Sequence, residues 1–221
     1  MGKHLVITGA NRGIGLAFVK HYCTLGYQVT VICRQSSPEL EELPCRIISD
    51  IDVSNASSVE RLSSELDNTQ IDILINNAGI LTSESLEQMS FDDIMTQFEV
   101  NAVAPLRVTH ALLGNLKKGS KVINITSRMG SMADNGSGGY YGYRASKAAL
   151  NAFGKSLAMD LKAQGIMVAQ LHPGLVSTRM IGFNGDVTPD QAVAGLTQRI
   201  EGLTLQNTGS FWHANGEELP W

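Results

Sequence analysis

Long apolar runs are absent from this sequence, although 43% of its residues are hydrophobic. A helix that crosses a bilayer needs about 20 consecutive apolar residues, and polar or charged residues interrupt every apolar stretch here. The opening residues, MGKHLVITGA, lead into a strand pattern and not into a signal peptide. We therefore expect a cytoplasmic globular protein that does not insert into membranes.

Positive charge and cysteine are also scarce. Lys and Arg total 17 against 21 Asp and Glu, which gives a net charge of -4 and no basic run for a nucleic acid. The three cysteines, Cys23, Cys33 and Cys45, are an odd number without the spacing of metal ligands. We expect reduced structural thiols, no metal site and no nucleic-acid partner.

Short apolar segments alternate with amphipathic ones along the whole chain. The strand-like segments are HLVITG, QVTVIC, RIIS, IDILIN, KVINIT, IMVAQLH and SFW. The helix-like segments cover residues 14–25, 59–66, 91–116, 145–163 and 189–203, with Ser90 and Thr188 as N-caps of the third and the last. This alternation predicts an α/β fold, with a doubly wound parallel sheet of about seven strands and helices on both faces. The 221 residues suit a single domain spanning 1–221.

The segment TGANRGIG follows the first strand and opens the first helix. Its glycines, Gly9, Gly13 and Gly15, permit a tight turn and close approach of the backbone to a diphosphate. The free N–H groups of the new helix would then face that anion. A purely structural turn is the alternative, but the strand-to-helix context favours nucleotide binding, with Asn11, Arg12 and Ile14 in the same turn.

The end of the second strand indicates which nucleotide is bound. An acidic residue there would bind the ribose of NAD, whereas this strand ends in Cys33-Arg34. Arginine can form a forked contact with a 2′-phosphate, and Arg12 could reach the same group. We therefore expect NADP(H) in preference to NAD(H), although Arg34 could also be a solvated charge.

The segment YYGYRASKAALN places Lys147 four residues after Tyr143. Residues at this spacing are neighbours on a helix, so the ammonium group is expected to lower the phenol pKa and make Tyr143 a usable acid or base. Tyr140 and Arg144 have the same spacing, but Gly142 indicates that Tyr140 precedes the helix. Tyr140 and Tyr141 are therefore interpreted as pocket wall or packing.

These motifs, in this order, resemble those of the short-chain dehydrogenase/reductase family over nearly the whole chain. The resemblance implies a Rossmann-type fold, hydride transfer between a nicotinamide and a small or medium carbonyl or alcohol, and a catalytic set with Tyr143 as acid/base. That set is Asn101, Ser127, Tyr143 and Lys147. Further cofactor contacts implied by the family are Asp52, Val53, Asn77, Ala78, Gly79, Pro173, Gly174, Val176 and Thr178, together with Tyr143 and Lys147.

Two members of this set have structural alternatives. Ser127 could steady a developing oxyanion, or be a hydroxyl in a strand-end turn. Asn101 lies within the predicted 91–116 helix, close to Pro105. A kinked helix with a free carbonyl that holds water would suit the proton relay that the family builds on its matching asparagine; a simple proline kink is the alternative.

The substrate side of the sequence is short. Ser127 and Tyr143 are separated by more residues than the family commonly has, within the Gly-rich loop SMADNGSGGYYG. Few residues follow Thr178 before the last strand, so we expect an open carbonyl reductase site of broad specificity, with Met180, Ile181 and Phe183 as a small flap. The ending FWHANGEELPW resembles the branch with C-signal and sniffer-type carbonyl reductases.

Two further expectations come from that resemblance. Relatives often pair their long helices, which favours a homodimer or homotetramer through residues 91–116 and 145–163. The likeness to C-signal also raises a second function, a nucleotide-binding signalling or scaffold protein with little turnover. The complete set of Asn101, Ser127, Tyr143 and Lys147 argues against that second function.

Overall fold

The computed structural model describes residues 2–221 and contains one seven-stranded parallel sheet. Its strand order is β3-β2-β1-β4-β5-β6-β7, so the predicted doubly wound α/β fold is confirmed. The strands are β1 His4–Thr8, β2 Gln28–Ile32, β3 Arg46–Ile48, β4 Ile71–Asn76, β5 Leu116–Ile125, β6 Met167–His172 and β7 Ser210–His213.

Seven α-helices are found in the described residues. They are α1 Gly13–Thr24, α2 Pro38–Glu41, α3 Ala56–Glu65, α4 Phe91–Phe98, α5 Ala104–Ala111, α6 Tyr141–Lys162 and α7 Pro189–Glu201. Both predicted N-caps are present: Ser90 accepts from the Asp93 N–H, and Thr188 forms a capping box with Gln191. The short helix α2 was not predicted. It begins with a capping residue followed by proline, as α7 does, and the Ser37 side chain accepts from the Leu40 N–H.

The predicted helix over residues 91–116 is wrong as a single element. Helix α4 passes into a π-helical turn, Glu99–Val103, before α5 begins, and a 3₁₀ turn at Leu113–Asn115 leads into β5. Pro105 explains the change of pitch, since it lacks the N–H that would bond to the Asn101 carbonyl in a regular α-helix. The π-helical turn contains Asn101, the residue of this segment that the family resemblance assigns to the catalytic set.

Both faces of the sheet are covered by helices. Alternating residues of β1 point to opposite faces: Leu5 and Ile7 belong to one buried cluster, and Val6 belongs to the other. The first cluster includes Phe18 and Leu196, from α1 and α7. The second includes side chains of α3, α5 and α6. Burial on both faces explains why the strands are continuous apolar runs.

The order of the strands fixes where a ligand can bind. Strands β1 and β4 are neighbours at the point where the chain direction across the sheet reverses. A crevice forms at the carboxyl ends of the strands flanking such a switch point. The Gly-rich turn follows β1 and the NNAG segment runs out of the end of β4. Within residues 2–221 no helix has the length and hydrophobicity needed to cross a membrane.

A row of buried amides crosses the sheet beneath this crevice. The Asn76 side chain donates to Asn124 Oδ1 at 3.0 Å, and Asn124 donates to Gln170 Oε1 at 3.3 Å. The three residues are paired in register on β4, β5 and β6. Gly154 of α6 lies against the row, because a Cβ at this position would be 2.8 Å from Asn124 Nδ2 and 2.5 Å from Gln170 Cδ. The amides therefore fix strand register and helix distance together.

This packing predicts that Gly154→Ala destabilises the protein. In a typical helix the substitution is favourable by about 0.5–1 kcal/mol, but here the methyl group overlaps the amides and should cost about 1–3 kcal/mol. Gly114→Ala is the matched control, because no atom lies within 4 Å of a Cβ there. Urea unfolding measures both; an unchanged or increased stability of Gly154→Ala would contradict the packing argument.

Candidate active site

The Gly-rich turn interlocks with the loop after β4. Gly9 has a φ of 68°, and a Cβ there would lie 2.7 Å from the Ala78 Cα. A Cβ on Gly15 would lie 2.7 Å from the Asn77 Nδ2. The Asn77 side chain donates to the carbonyls of Thr8 and Gly9, at 3.1 and 2.8 Å. Glycine is thus required at both positions, and the backbone is left open towards the crevice.

The two arginines predicted for a 2′-phosphate lie beside this turn. Arg12 is the residue before α1, Arg34 follows the end of β2, and both side chains are exposed. Among the described residues neither forms a salt bridge. The β2–α2 loop is tied to the turn, because the Ser37 hydroxyl donates to the Asn11 carbonyl at 2.8 Å. Ile14 is partly buried against the core.

The predicted adenine contacts lie in the loop after β3. The Asp52 carboxylate accepts from the backbone N–H and the hydroxyl of Ser54, at 2.9 and 2.7 Å, and the hydroxyl bond is the largest cause of its lowered pKa. Arg107 of α5 donates to the carbonyls of Val53 and Ser54. No local sequence pattern marks Arg107, which holds this loop from a helix that is distant in sequence.

The loop after β6 returns to the Gly-rich turn. Pro173 and Val176 are buried, and Gly174 has a φ of 89° that favours glycine. A methyl carbon of Thr178 would lie 3.5 Å from a Cβ built on Gly13. The loop therefore covers the start of α1, on the side where the resemblance places the cofactor.

The π-helical turn presents Asn101 to the loop that carries Gly79. The fully buried Asn101 side chain accepts from the Ile80 N–H at 2.8 Å and donates to the Ile80 carbonyl at 2.9 Å. It also donates to the Ser146 hydroxyl on α6 at 3.1 Å. Gly79 lies next to both Asn101 and Lys147. A Cβ on Gly79 would be 3.2 Å from Asn101 Oδ1 and 3.7 Å from Lys147 Nζ.

Ser127, Tyr143 and Lys147 meet where β5 ends against α6. Ser127 is buried, and its hydroxyl accepts a hydrogen bond from the Met129 N–H at 3.1 Å. Ser127 therefore also has the structural role in the strand-end turn that its sequence position had suggested. The turn lies close to the helix, since a Cβ on Gly130 would be 2.7 Å from the Lys147 carbonyl carbon. Lys147 Nζ lies 5.8 Å from the centre of the Tyr143 ring and donates to the Ile125 carbonyl at 2.9 Å.

The predicted direction of the Tyr143 pKa is corrected by the structure. Burial raises the pKa of Tyr143 to about 12, and a side-chain hydrogen bond with Ser127 opposes this only in part. Burial also lowers the pKa of Lys147, which is 5% exposed, to about 8. In the protein alone, loss of hydration is therefore the main cause of both shifts. The sequence spacing placed the pair correctly but could not reveal its burial.

One prediction about the neighbouring tyrosines is confirmed, namely that Tyr140 precedes the helix. Tyr140 precedes α6 with a φ of 52°, as Gly142 had suggested, and Tyr140 and Tyr141 are both 40% exposed. Arg144 turns back to the Gly-rich loop, where it donates to the carbonyl of Gly139 and to the hydroxyl of Ser137. The Tyr140–Arg144 spacing therefore reflects loop anchoring.

The site also contains residues that the sequence analysis missed. Thr8 accepts from the N–H groups of Asn77 and Ala78, at 3.1 and 3.2 Å, and its place at the head of TGANRGIG was an available signal. Glu84 and Gln97 form a buried polar cluster beside the start of α6. No local pattern marks these two, since the Gly142 N–H from which Glu84 accepts lies 58 residues away in sequence and Gln97 lies 13 residues from Glu84.

Comparison with known proteins identifies the family of this chain. A model of the short chain dehydrogenase family matches residues 3–189. The chain is 34% identical to 1-hydroxy-2-glutathionyl-2-methyl-3-butene dehydrogenase of Rhodococcus sp. (strain AD45), over 98% of this chain and 99% of that protein. It is 42% identical to C-signal of Myxococcus xanthus, over 68% and 93% of the two chains.

Solved structures give the same grouping. Carbonyl reductase Sniffer of D. melanogaster superposes with a TM-score of 0.93 at 31% identity, over all of both chains. An NADPH-bound carbonyl reductase from chicken fatty liver superposes with a TM-score of 0.90 at 30% identity, over 100% of this chain and 99% of that one. The predicted resemblance to the branch with C-signal and sniffer-type carbonyl reductases is confirmed.

The buried ammonium group predicts a pH-dependent stability. Because burial lowers the pKa of Lys147 to about 8 from 10.5, the unfolded chain binds more protons between these values, and this group makes folding more favourable as pH rises. The unfolding free energy of the wild type minus that of Lys147→Met should therefore increase across this window. Lys162→Met, at an exposed position of the same helix, should give a constant difference. Urea unfolding at several pH values measures this, and a constant difference for Lys147→Met would contradict the lowered pKa.

Proposed function

Because the chain belongs to the short-chain dehydrogenase/reductase family, and is thus an oxidoreductase with a nicotinamide cofactor, we propose that it reduces small or medium carbonyl compounds with NADPH. The observation that carries this proposal is the meeting of Ser127, Tyr143 and Lys147 at the carboxyl end of β5, beside the loop of Gly79. A protein that only bound a nucleotide would have no need of a partly buried phenol beside a buried ammonium group.

The residues of the crevice fit a dinucleotide phosphate. The turn of Gly9 and Gly15 is so tight that a Cβ would overlap the neighbouring loop, and the backbone N–H groups at the start of α1 can bind a diphosphate. Arg12 and Arg34 are exposed at the same end of the sheet, where a forked contact with a 2′-phosphate favours NADP(H) over NAD(H). When bound, the nicotinamide supplies or accepts the hydride.

Tyr143 serves as the acid in this proposal. Since burial raises the pKa of Tyr143 to about 12, the phenol is protonated near neutral pH. It can donate a hydrogen bond to a carbonyl oxygen and give up its proton as negative charge develops there. Ser127 lies close enough to the phenol to lower its pKa, and its hydroxyl can also donate to the substrate oxygen. The raised pKa suits reduction, since alcohol oxidation would need the phenolate as base.

Lys147 and Asn101 support this proton transfer. The Lys147 ammonium group is fixed by the Ile125 carbonyl, and its positive charge stabilises any negative charge that forms on Tyr143. Lysine can also donate hydrogen bonds to the cofactor ribose. Asn101 fixes the Ile80 backbone and Ser146, and its own carbonyl, freed from Pro105, can hold a relay water.

The substrate is proposed to be small to medium in size and variable in shape. Leu175, Met180 and Phe183 are exposed near the loop after β6, which suits a small apolar flap over an open cleft. The names of the relatives agree with a range of substrates, from the carbonyl compounds of the reductases to a glutathionyl-substituted alcohol. We also propose a single cytoplasmic domain over residues 1–221 that forms a homodimer or homotetramer.

The second candidate function is nucleotide-dependent signalling or scaffolding with little turnover. The 42% identity to C-signal is the observation that favours it. The two candidates differ in a simple test, since a scaffold would bind NADPH without oxidising it in the presence of any carbonyl compound. Sustained loss of NADPH absorbance with aldehydes or ketones would favour the reductase.

Substitution of the proposed acid tests the main proposal. Tyr143→Phe removes only the hydroxyl group and should lower kcat for carbonyl reduction by about 10²–10⁴-fold, the usual contribution of a general acid. NADPH binding, followed by fluorescence, should change little. Tyr141→Phe is the matched control, because Tyr141 is 40% exposed on the first turn of the same helix. Full turnover by Tyr143→Phe would refute the assignment.

Cofactor preference is tested at Arg34. Arg34→Ala should raise KM for NADPH about 10- to 100-fold, the loss expected for a charged hydrogen bond, and leave KM for NADH nearly unchanged. Arg46→Ala controls for net charge, since Arg46 is exposed at the opposite, amino end of the sheet. Equal effects on both cofactors would argue against recognition of the 2′-phosphate.

A further inference from the structure

Helix α6 begins without a cap of its own, although it carries both Tyr143 and Lys147. Tyr140 occupies the N-cap position in a left-handed conformation, with a φ of 52°, and its side chain makes no capping hydrogen bond. The first N–H groups of a helix lack partners within the helix, so this end needs acceptors from elsewhere. The catalytic tyrosine lies on this uncapped first turn.

Glu84 supplies those acceptors from the loop after β4. Its carboxylate Oε2 accepts from the Gly142 N–H at 3.0 Å, and its main-chain carbonyl accepts from the Tyr140 N–H at 2.9 Å. The side chain is 3% exposed. A carboxylate is favourable at the positive end of a helix dipole, and one residue therefore holds the chain on both sides of the helix start.

The carboxylate is itself held in a defined orientation. Its Oε1 accepts from the Thr82 hydroxyl and from Gln97 Nε2, both at 2.7 Å. Gln97 in turn accepts from the Thr82 N–H at 2.9 Å. Gly142 lets α4 approach, since a Cβ there would be 2.9 Å from the Ile94 Cα and would overlap the Gln97 amide.

We infer that Glu84 is a positioning residue for Tyr143, acting through the backbone of Gly142 as a long-range cap of α6. The inference rests on the proposed function for its effect on turnover, but not for its effect on the helix start. A small displacement of a catalytic group can cost about 100-fold in rate. Glu84 therefore links the loop of Gly79 and Ile80 to the placement of the phenol.

The test is an exchange of two nearly isosteric side chains. In Glu84→Gln, the new amide nitrogen must face either the Gly142 N–H or Gln97 Nε2, so two donors meet in either orientation. In the double variant Glu84→Gln, Gln97→Glu, residue 97 accepts from both Thr82 and position 84, and position 84 again accepts from Gly142. The double variant also keeps the net charge. Glu87→Gln, at an exposed position of the same loop, is the matched control.

Two measurements separate positioning from simple stability. Amide hydrogen exchange at Gly142 and Tyr143 should become at least about tenfold faster in Glu84→Gln, with the last turns of α6 unchanged. The kcat should fall about 10- to 100-fold, with NADPH binding unchanged. The double variant should recover both values, and Glu87→Gln should match the wild type.

Several outcomes would overturn the inference. One is a folded Glu84→Gln with unchanged exchange and unchanged kcat; another is a folded double variant that keeps the defects of the single one. If Glu84→Gln does not fold, Thr82→Val, which removes one bond to the carboxylate, must show smaller changes in the same direction, and no change would refute the role. A wild type that reduces no carbonyl would count against the proposed function, while the exchange measurement would still decide the role of Glu84.

Discussion

The partial burial of Tyr143 and the nearly complete burial of Lys147 are the constraint on which the chemistry of the site depends. The helix that carries them packs against the turn after β5 so closely that Gly130 cannot be replaced without contact with the Lys147 backbone. The consequence is a phenol with a pKa raised to about 12 and an ammonium group with a pKa lowered to about 8. Such a phenol keeps its proton at neutral pH, which is the state that the proposed reduction requires of it.

The surrounding structure holds Tyr143 and Lys147 in place. The π-helical turn at Glu99–Val103 presents Asn101 to the loop after β4 and to Ser146 of α6. Glu84, from the same loop, accepts a hydrogen bond at the start of α6. The buried side chains of Asn101 and Glu84 thus connect the loop after β4 to α6. The polar atoms of both side chains are hydrogen-bonded, as is usual for buried polar groups.

Local sequence signals were sufficient for the fold and for much of the site. Continuous apolar strands and the glycines of TGANRGIG predicted the sheet, the parallel direction of its strands and the crevice, because all three depend on short-range patterns. Pro105 predicted a disturbance at Asn101 but not its form, and the single helix over residues 91–116 was wrong since a π turn and a 3₁₀ turn divide it. Glu84 and the direction of the Tyr143 pKa were inaccessible, because capping across distant segments and burial both arise from tertiary packing.

The most direct test is the pKa of the Tyr143 phenol itself. Incorporation of tyrosine labelled with ¹³C at the Cζ atom, with the signal assigned by its loss in Tyr143→Phe, allows this group to be titrated by NMR. We expect a pKa well above the ordinary 10.0, near 12, in the protein without cofactor. A value below 10.0 would show that the charge of Lys147 outweighs burial, and would contradict the claim that the site holds a protonated acid by excluding water.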